Sequence, residues 1–211
     1  MKREVALDEL DVVIVESGGA NIASLRFALQ RLGVTATVSA DAARITAATH
    51  VILPGVGAAA DGMERLRERR LDAIIPRLTQ PVLGICLGMQ LLMDSSEEGA
   101  TTCLGIIPGR ALRFVDSPGQ PVPHMGWNTL KIPRDVPLLD DIGRQDYAYF
   151  VHSFAVPVGD NTIACAHYIR TFSAAVQSHN FYGTQFHPER SAGVGARVLR
   201  NFVSLPVSPC A

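Results

Sequence analysis

Cysteine, charge and long apolar runs are all scarce in this chain of 211 residues. Its 4 cysteines, at positions 86, 103, 165 and 210, form no CxxC pair, which argues against both a disulfide scaffold and a zinc ribbon. Charged residues make up only 18%, with 19 Lys+Arg against 20 Asp+Glu, so the basic surplus of a nucleic-acid binder is missing. A hydrophobic content of 47% and a mean hydropathy of +0.18 exclude a disordered composition. The longest mostly apolar stretch, 81–93, contains Gln90 and is too short to span a membrane. The first ten residues, MKREVALDEL, are too acidic and too poor in apolar residues for a signal peptide. There is no H-E-x-x-H and no Cys/His cluster, so no metal is expected. The glycines at 18–19 and 55–57 lack the G-x-x-x-x-G-K-[ST] pattern of a phosphate loop, and no cofactor is expected. These absences together predict a cytoplasmic protein with reduced thiols, where a singular cysteine is a candidate nucleophile.

What the chain does have is alternation. Val12, Val13, Ile14 and Val15 form a β-branched run that reads as a buried strand. Asn21 is a candidate helix N-cap; Ile22, Leu25, Leu29 and Leu32 recur at helical spacing, and Gly33 closes the helix. Further strands are expected at 35–39, 51–53 and 81–85, with a charged helix over 60–75 and a helical segment from Cys86 through Met93. The charge run 64–70 interleaves with Met63, Leu66, Leu71 and Ile74, as on a solvated helix face. Strands separated by helix-length segments imply parallel βαβ units. The second half reads differently. Strands are expected at 111–114, 127–132, 147–151, 162–167, 174–177 and 183–186, several of them antiparallel, before a last helix over 191–202. No linker or repeat interrupts the chain. The expectation is one α/β domain over 1–211, with its core at about 12–203: a single-domain mixed, mostly parallel sheet flanked by helices.

Gly84-Ile85-Cys86-Leu87-Gly88 has the form G-x-C-x-G, the thiol counterpart of the G-x-S-x-G nucleophile elbow. A chain turning sharply from strand to helix with the nucleophile at its apex needs neighbours without a Cβ. The helix that starts there aims free N–H groups at the sulfur, favouring thiolate, and the Leu87 amide is placed to bind an oxyanion. On the elbow alone, a buried core cysteine is an open alternative. Cys103, Cys165 and Cys210 sit in a loop, a strand and a Pro-rich tail and read as structural.

A thiol nucleophile wants a histidine and a third group to orient it. Of the 6 histidines, only His187 has a carboxylate in suitable local geometry, in Phe186-His187-Pro188-Glu189. Pro188 holds His187 extended, and in extended chain residues i and i+2 share a side, so Glu189 can reach one ring nitrogen. The pair follows an expected strand, at the sheet end where open α/β sheets bind ligands. The loop Pro54-Gly55-Val56-Gly57 also follows a strand, and its glycines allow backbone amides to serve as a second oxyanion donor. His50, His167 and His179 read as structural.

In this order, GICLGMQ at 84–90 and FHPE at 186–189 resemble the class I (triad) glutamine amidotransferase family. LPGVG at 53–57, PHMGWN at 123–128 and YFVHSF at 149–154 are similar to the glutaminase subunits of imidazole glycerol phosphate synthases, of histidine biosynthesis. The resemblance covers about 12–202 and implies a flavodoxin-like fold that hydrolyses L-glutamine to glutamate and ammonia. It matches Cys86, His187 and Glu189 to the triad, and Gly55, Val56 and Gly57 to the oxyanion strand. It matches Gln90 to the glutamine-binding residue, and Glu98, His152, Ser153 and Phe154 to substrate-side positions. In the family the glutaminase forms a heterodimer with a (β/α)8-barrel cyclase, which receives the ammonia through the interface and makes imidazole glycerol phosphate and AICAR. Trp127, Asn128, Tyr149 and Arg190 match positions facing that cyclase. Three places depart from the family pattern. The first loop, usually D-Y-G-x-G-N, is here Glu16-Ser17-Gly18-Gly19-Ala20-Asn21; Phe154 replaces a usual tyrosine and Arg190 a usual lysine. A glutaminase of the pyridoxal phosphate or anthranilate systems would share the triad but not segments 123–128 and 149–154. Another kind of elbow-cysteine enzyme would not need the His-x-Glu, and a non-catalytic binding subunit would usually have lost a triad residue.

Overall fold

The computed structural model describes residues 10–16, 21–143 and 145–207. Most of the amino-terminal decapeptide, the first-loop residues Ser17, Gly18, Gly19 and Ala20, and Cys210 lie outside the described residues. Strands β1 (Val12–Val15), β2 (Ala36–Ser39), β3 (His50–Gly55) and β4 (Val82–Cys86) lie side by side in the order β2-β1-β3-β4, all parallel. Beyond β4 comes the parallel strand Phe181–Thr184, then Arg170–Ser178 and Thr162–Tyr168, both antiparallel to their neighbours, completing a seven-stranded sheet.

The continuous apolar runs conceal an alternation. Val12, Ile14, Ile52, Leu83 and Ile85 pack into one core, and Val13, Val15, Val51, Leu53 and Val82 into the other. None of these side chains is more than 2% exposed. Both faces of the sheet are therefore covered, as crossover connections require, and each fully buried Val, Leu or Ile contributes roughly 1.5–3 kcal/mol. The helices in chain order are α1 (Ile22–Gln30), α2 (Ala42–Ala47), α3 (Ala59–Glu68), α4 (Leu71–Ile74), α5 (Leu87–Leu91) and α6 (Ala192–Val203). Helices α1 and α6 cover the first face; α2 to α5 cover the second.

The structure departs from expectation in places. The charged helix does not run to Ile75. It stops at Glu68; Arg70 takes a left-handed conformation, φ 55°, and the restart at α4 buries Leu71 and then Ile75. The segment after Cys86 is helical only to Leu91, because Met93–Ser96 becomes a strand. That strand belongs to a second sheet of four strands, Phe154–Ala155, Ile107–Arg113, Met93–Ser96 and Thr101–Thr102, and His124–Thr129 pairs with Tyr147–His152 as a separate antiparallel hairpin. The expected mixed, mostly parallel sheet flanked by helices is the seven-stranded one, and among the described residues two smaller sheets accompany it. Helix α2 was not foreseen; Asp41 caps it by accepting the Arg44 N–H at 2.9 Å.

Candidate active site

Cys86 joins β4 to α5 with φ 53° and ψ −110°, backbone angles that side chains rarely adopt and that persist only where the surroundings enforce them. Glycines do the enforcing. A Cβ on Gly84 would stand 2.6 Å from the Gly88 carbonyl oxygen, and one on Gly88 would stand 1.9 Å from the carbonyl oxygen of Leu53 on the neighbouring strand. These glycines therefore serve the packing of β4 and β3 against α5 as much as the turn itself. Gly55 is paired in register with Cys86, and Gly57 turns the chain away with φ 89°.

His187 is extended, φ −96° and ψ 100°, as its following proline requires. Glu189 does not reach it along extended chain, however. A 3-10 turn over Pro188–Arg190 brings the carboxylate round to the imidazole, Nδ1 to Oε1 at 2.8 Å, with the two side chains only 5% and 3% exposed. His187 and Cys86 line the same cavity, and the two interact electrostatically. Burial alone would lower the His187 pKa, but its hydrogen bond to Glu189 and charge interactions with Cys86 and Glu189 reverse this and raise it to about 10. The imidazole therefore keeps its second proton through the neutral range. Asn21 was expected to cap α1 but makes no side-chain cap bond; its Nδ2 instead donates to the same Glu189 oxygen. The main chain is also fixed. The His187 N–H donates to the Tyr149 carbonyl at 3.0 Å, and Ser191 Oγ donates to the His187 carbonyl while accepting the Tyr149 N–H.

Cys86 and His187 open onto a cavity of about 420 Å³, a size suited to a small metabolite. Gly55, Val56, Gly57, Leu87, Gln90, Glu98, His152, Ser153, Phe154 and Arg190 all border it, whereas Glu189 stands behind His187. Glu98 is anchored by accepting the Ala59 N–H at the start of α3, 2.8 Å. Gln90 spends both N–H groups inside the protein, on the Phe154 carbonyl and on Gln185 Oε1, each at 3.0 Å. Only its carbonyl oxygen is left for a ligand.

His152 is bound more tightly than its sequence position suggested. Its Nδ1 lies 2.8 Å from the Phe154 carbonyl, which can only accept, so the proton sits on Nδ1; its Nε2 then accepts from His124 Nδ1 at 3.0 Å. His124 lies buried between the rings of Phe150 and Tyr168, and its Nε2 faces Asn128 Nδ2 at 3.4 Å. Burial pushes both histidines down, His152 to about 3 and His124 to about 4, so both are neutral. His152 thus meets the cavity as a wall with both ring nitrogens already engaged. His124, Gln185 and Val151, which also borders the cavity, escaped the sequence reading. Alternation along the extended chain before His187 places Gln185 on the same side as His187.

The hairpin presents its other face to solvent. Met125, Trp127 and Tyr147 are 64%, 52% and 54% exposed, and Trp127 stands edge-on to Tyr149 at 5.8 Å. The Arg190 guanidinium lies over the Tyr149 ring at 4.8 Å, joining this apolar patch to the cavity rim. Asn128 does not point outward with the patch; its Nδ2 donates to the His167 carbonyl at 2.9 Å as well as facing His124. Among the other cysteines, Cys103 is buried and its thiol is pushed up to about 11, while Cys165 faces the Lys131 carbonyl. His50 is buried, with Nε2 3.1 Å from the Leu205 carbonyl, as a structural histidine. Among the described residues, no helix is long and apolar enough to cross a membrane.

Known proteins share this chain's sequence and fold. It is 48% identical to the imidazole glycerol phosphate synthase subunit HisH of Vibrio cholerae, over 92% of this chain and 98% of that protein. It is 50% identical to the HisH subunit of Idiomarina loihiensis, over 93% and 98%. Among solved structures, a glutamine amidotransferase superposes with a TM-score of 0.71 at 18% identity, covering 91% of this chain and 96% of that one. PurLQS from Thermotoga maritima superposes at 0.67 with 20% identity, over 96% and 98%, a likeness of fold. The family profile described as Glutamine amidotransferase class-I matches residues 13–205, and with it and these relatives, the chain belongs to the class-I glutamine amidotransferase family.

Proposed function

We propose that this chain is the glutaminase subunit of an imidazole glycerol phosphate synthase, hydrolysing L-glutamine through Cys86, His187 and Glu189 and passing the ammonia to a (β/α)8-barrel cyclase. The observation that carries the reading is that Cys86 and His187 border one cavity, with Glu189 behind His187 and bonded to its ring. The Cys86 thiolate attacks the carboxamide carbon of glutamine, forming a C–S bond and placing the carbonyl electrons on oxygen. The Leu87 amide and the amides of the 55–57 loop receive that oxyanion. His187, charged at neutral pH, gives its proton to the departing nitrogen; ammonia leaves and a γ-glutamyl thioester remains. His187 then takes a proton from water, whose oxygen displaces the sulfur to release glutamate. Glu189 holds the ring and stabilises its charged form. Glu98 and the Gln90 oxygen are acceptors suited to the substrate ammonium.

Aromatic area supports the partner assignment. Exposed Met125, Trp127 and Tyr147, with half-buried Tyr149, make an apolar surface beside the cavity rim, the composition from which protein interfaces draw their anchors. The hairpin strand Tyr147–His152 both carries that surface and holds His187 through the Tyr149 carbonyl, so docking there acts on the triad. Ammonia release from glutamine, assayed with the cyclase present, tests the reading: Cys86→Ala should abolish it, and undiminished activity would sink the assignment.

A further inference from the structure

A chain of side-chain amides runs from the second sheet to the sulfur, and its direction can be worked out. The Phe154 carbonyl can only accept, and it takes one hydrogen from His152 Nδ1 and one from Gln90 Nε2. Gln90 Nε2 has one further hydrogen, and it points at Gln185 Oε1, 3.0 Å away. With its oxygen thus fixed, Gln185 must turn its own N–H toward Cys86, and Nε2 lies 3.7 Å from Sγ. Gln185 is fully buried and its N–H aims at the reacting atom. The sulfur's other polar neighbours are His187 and the Val151 carbonyl oxygen, 3.8 Å away, an acceptor that favours the thiol over the thiolate. Apart from the start of α5, only His187 would otherwise oppose that carbonyl.

We propose that Gln185 is a positioning residue for the nucleophile: its amide N–H, locked in direction by Gln90 and the Phe154 carbonyl, steadies the Cys86 thiolate and holds the sulfur toward the cavity. A neutral donor suits this place because it stabilises the anion without adding a titrating charge beside His187. The titratable and charged groups around the sulfur are His187 with Glu189 behind it, and His152, Glu98 and Arg190 across the cavity; Gln185 adds none. The proposal rests on the glutaminase reading but is tested apart from it.

The test is the pH dependence of Cys86 alkylation by iodoacetamide, followed by the mass of the peptide that carries it, and it needs no glutamine. Gln185→Met keeps the shape and removes the donor. Its alkylation inflection is expected about one pH unit above wild type, a roughly tenfold lower rate at pH values below both inflections, because only the thiolate reacts. Gln185→Asn, which keeps an amide but draws it back, is expected to shift less. In the glutaminase assay with the cyclase, Gln185→Met should lower kcat about tenfold or more. An inflection coincident with wild type in a cooperatively melting Gln185→Met protein overturns the proposal. Should that variant not melt cooperatively, an unshifted Gln185→Asn overturns it. A wild-type protein without Cys86-dependent glutaminase activity would overturn the functional reading alone.

Discussion

The two halves of the site are built by opposite means. On the Cys86 side the parallel strands β3 and β4 and helix α5 approach so closely that backbone touches backbone, and Gly55, Gly84 and Gly88 are the condition of that approach. On the His187 side the main chain is held by hydrogen bonds from a hairpin, through Tyr149 and Ser191, while polar side chains fix the ring. The nucleophile is thus clamped by steric necessity and the base by a network. A steric clamp does not respond to a partner, whereas a hydrogen-bonded hairpin with an exposed aromatic face can.

Substitutions can break this contrast, starting with the largest effect. His187→Ala, measured as kcat with the cyclase present, should lose about three to four orders of magnitude, since the triad acts as a unit. Gly88→Ala forces a methyl group into the Leu53 carbonyl and is expected to cost about 3 kcal/mol or more in denaturant unfolding. Gly159→Ala, in the second half with nothing within 4 Å of the added carbon, should fall within about 0.5 kcal/mol of wild type. Trp127→Ala should weaken cyclase binding by about 2 kcal/mol, roughly thirtyfold in Kd by calorimetry, with little change in the melting temperature of the isolated subunit.

Acid should expose the network differently from the clamp. His50, His124 and His152 are held neutral, at about 4, 4 and 3, by burial. An unfolded chain binds protons on histidine near the ordinary pKa of about 6.5. Below that pH the unfolded state gains protons that the folded state refuses, so these three groups contribute full stability above pH ~6.5 and lose it progressively as the pH falls toward 4. His187 runs the other way: raised to about 10, its contribution is present below about 6.5 and lost as the pH rises through 10. The melting temperature should therefore fall on both sides of neutrality. Replacing His124 with Phe should flatten the acid side, although one hydrogen bond to His152 is lost. Asp41→Ala should cost about 1 kcal/mol, through the lost cap of α2, more than Gly159→Ala and less than the other substitutions.

The same contrast explains what could be read from the sequence. The steric side was legible. Glycines at fixed offsets around a cysteine at a strand end have few structural uses, and β1 to β4 announce themselves as apolar runs closed by turns. The His-Pro-Glu pair was legible because its partners are close in sequence, although the turn that joins them was not. The network side was largely hidden. Gln185 reads as one polar residue in a strand, and only the fold sets it against Cys86, almost a hundred positions away. His124 and Asn128 stood within a quoted motif, yet their inward pairing with His152 depends on hairpin register. The four-stranded sheet escaped because three of its strands have four residues or fewer, and their polar residues, such as Asp94 and Thr102, blur the alternation.

The central claim, that glutamine is cleaved through a thioester on Cys86, is tested most directly by trapping. With glutamine and the cyclase present, added hydroxylamine intercepts a γ-glutamyl thioester as γ-glutamyl hydroxamate. Wild type should form the hydroxamate at the expense of glutamate, and Cys86→Ala should form none. Hydroxamate formation that persists in Cys86→Ala, or wild-type glutamate release that hydroxylamine never diverts, would contradict it.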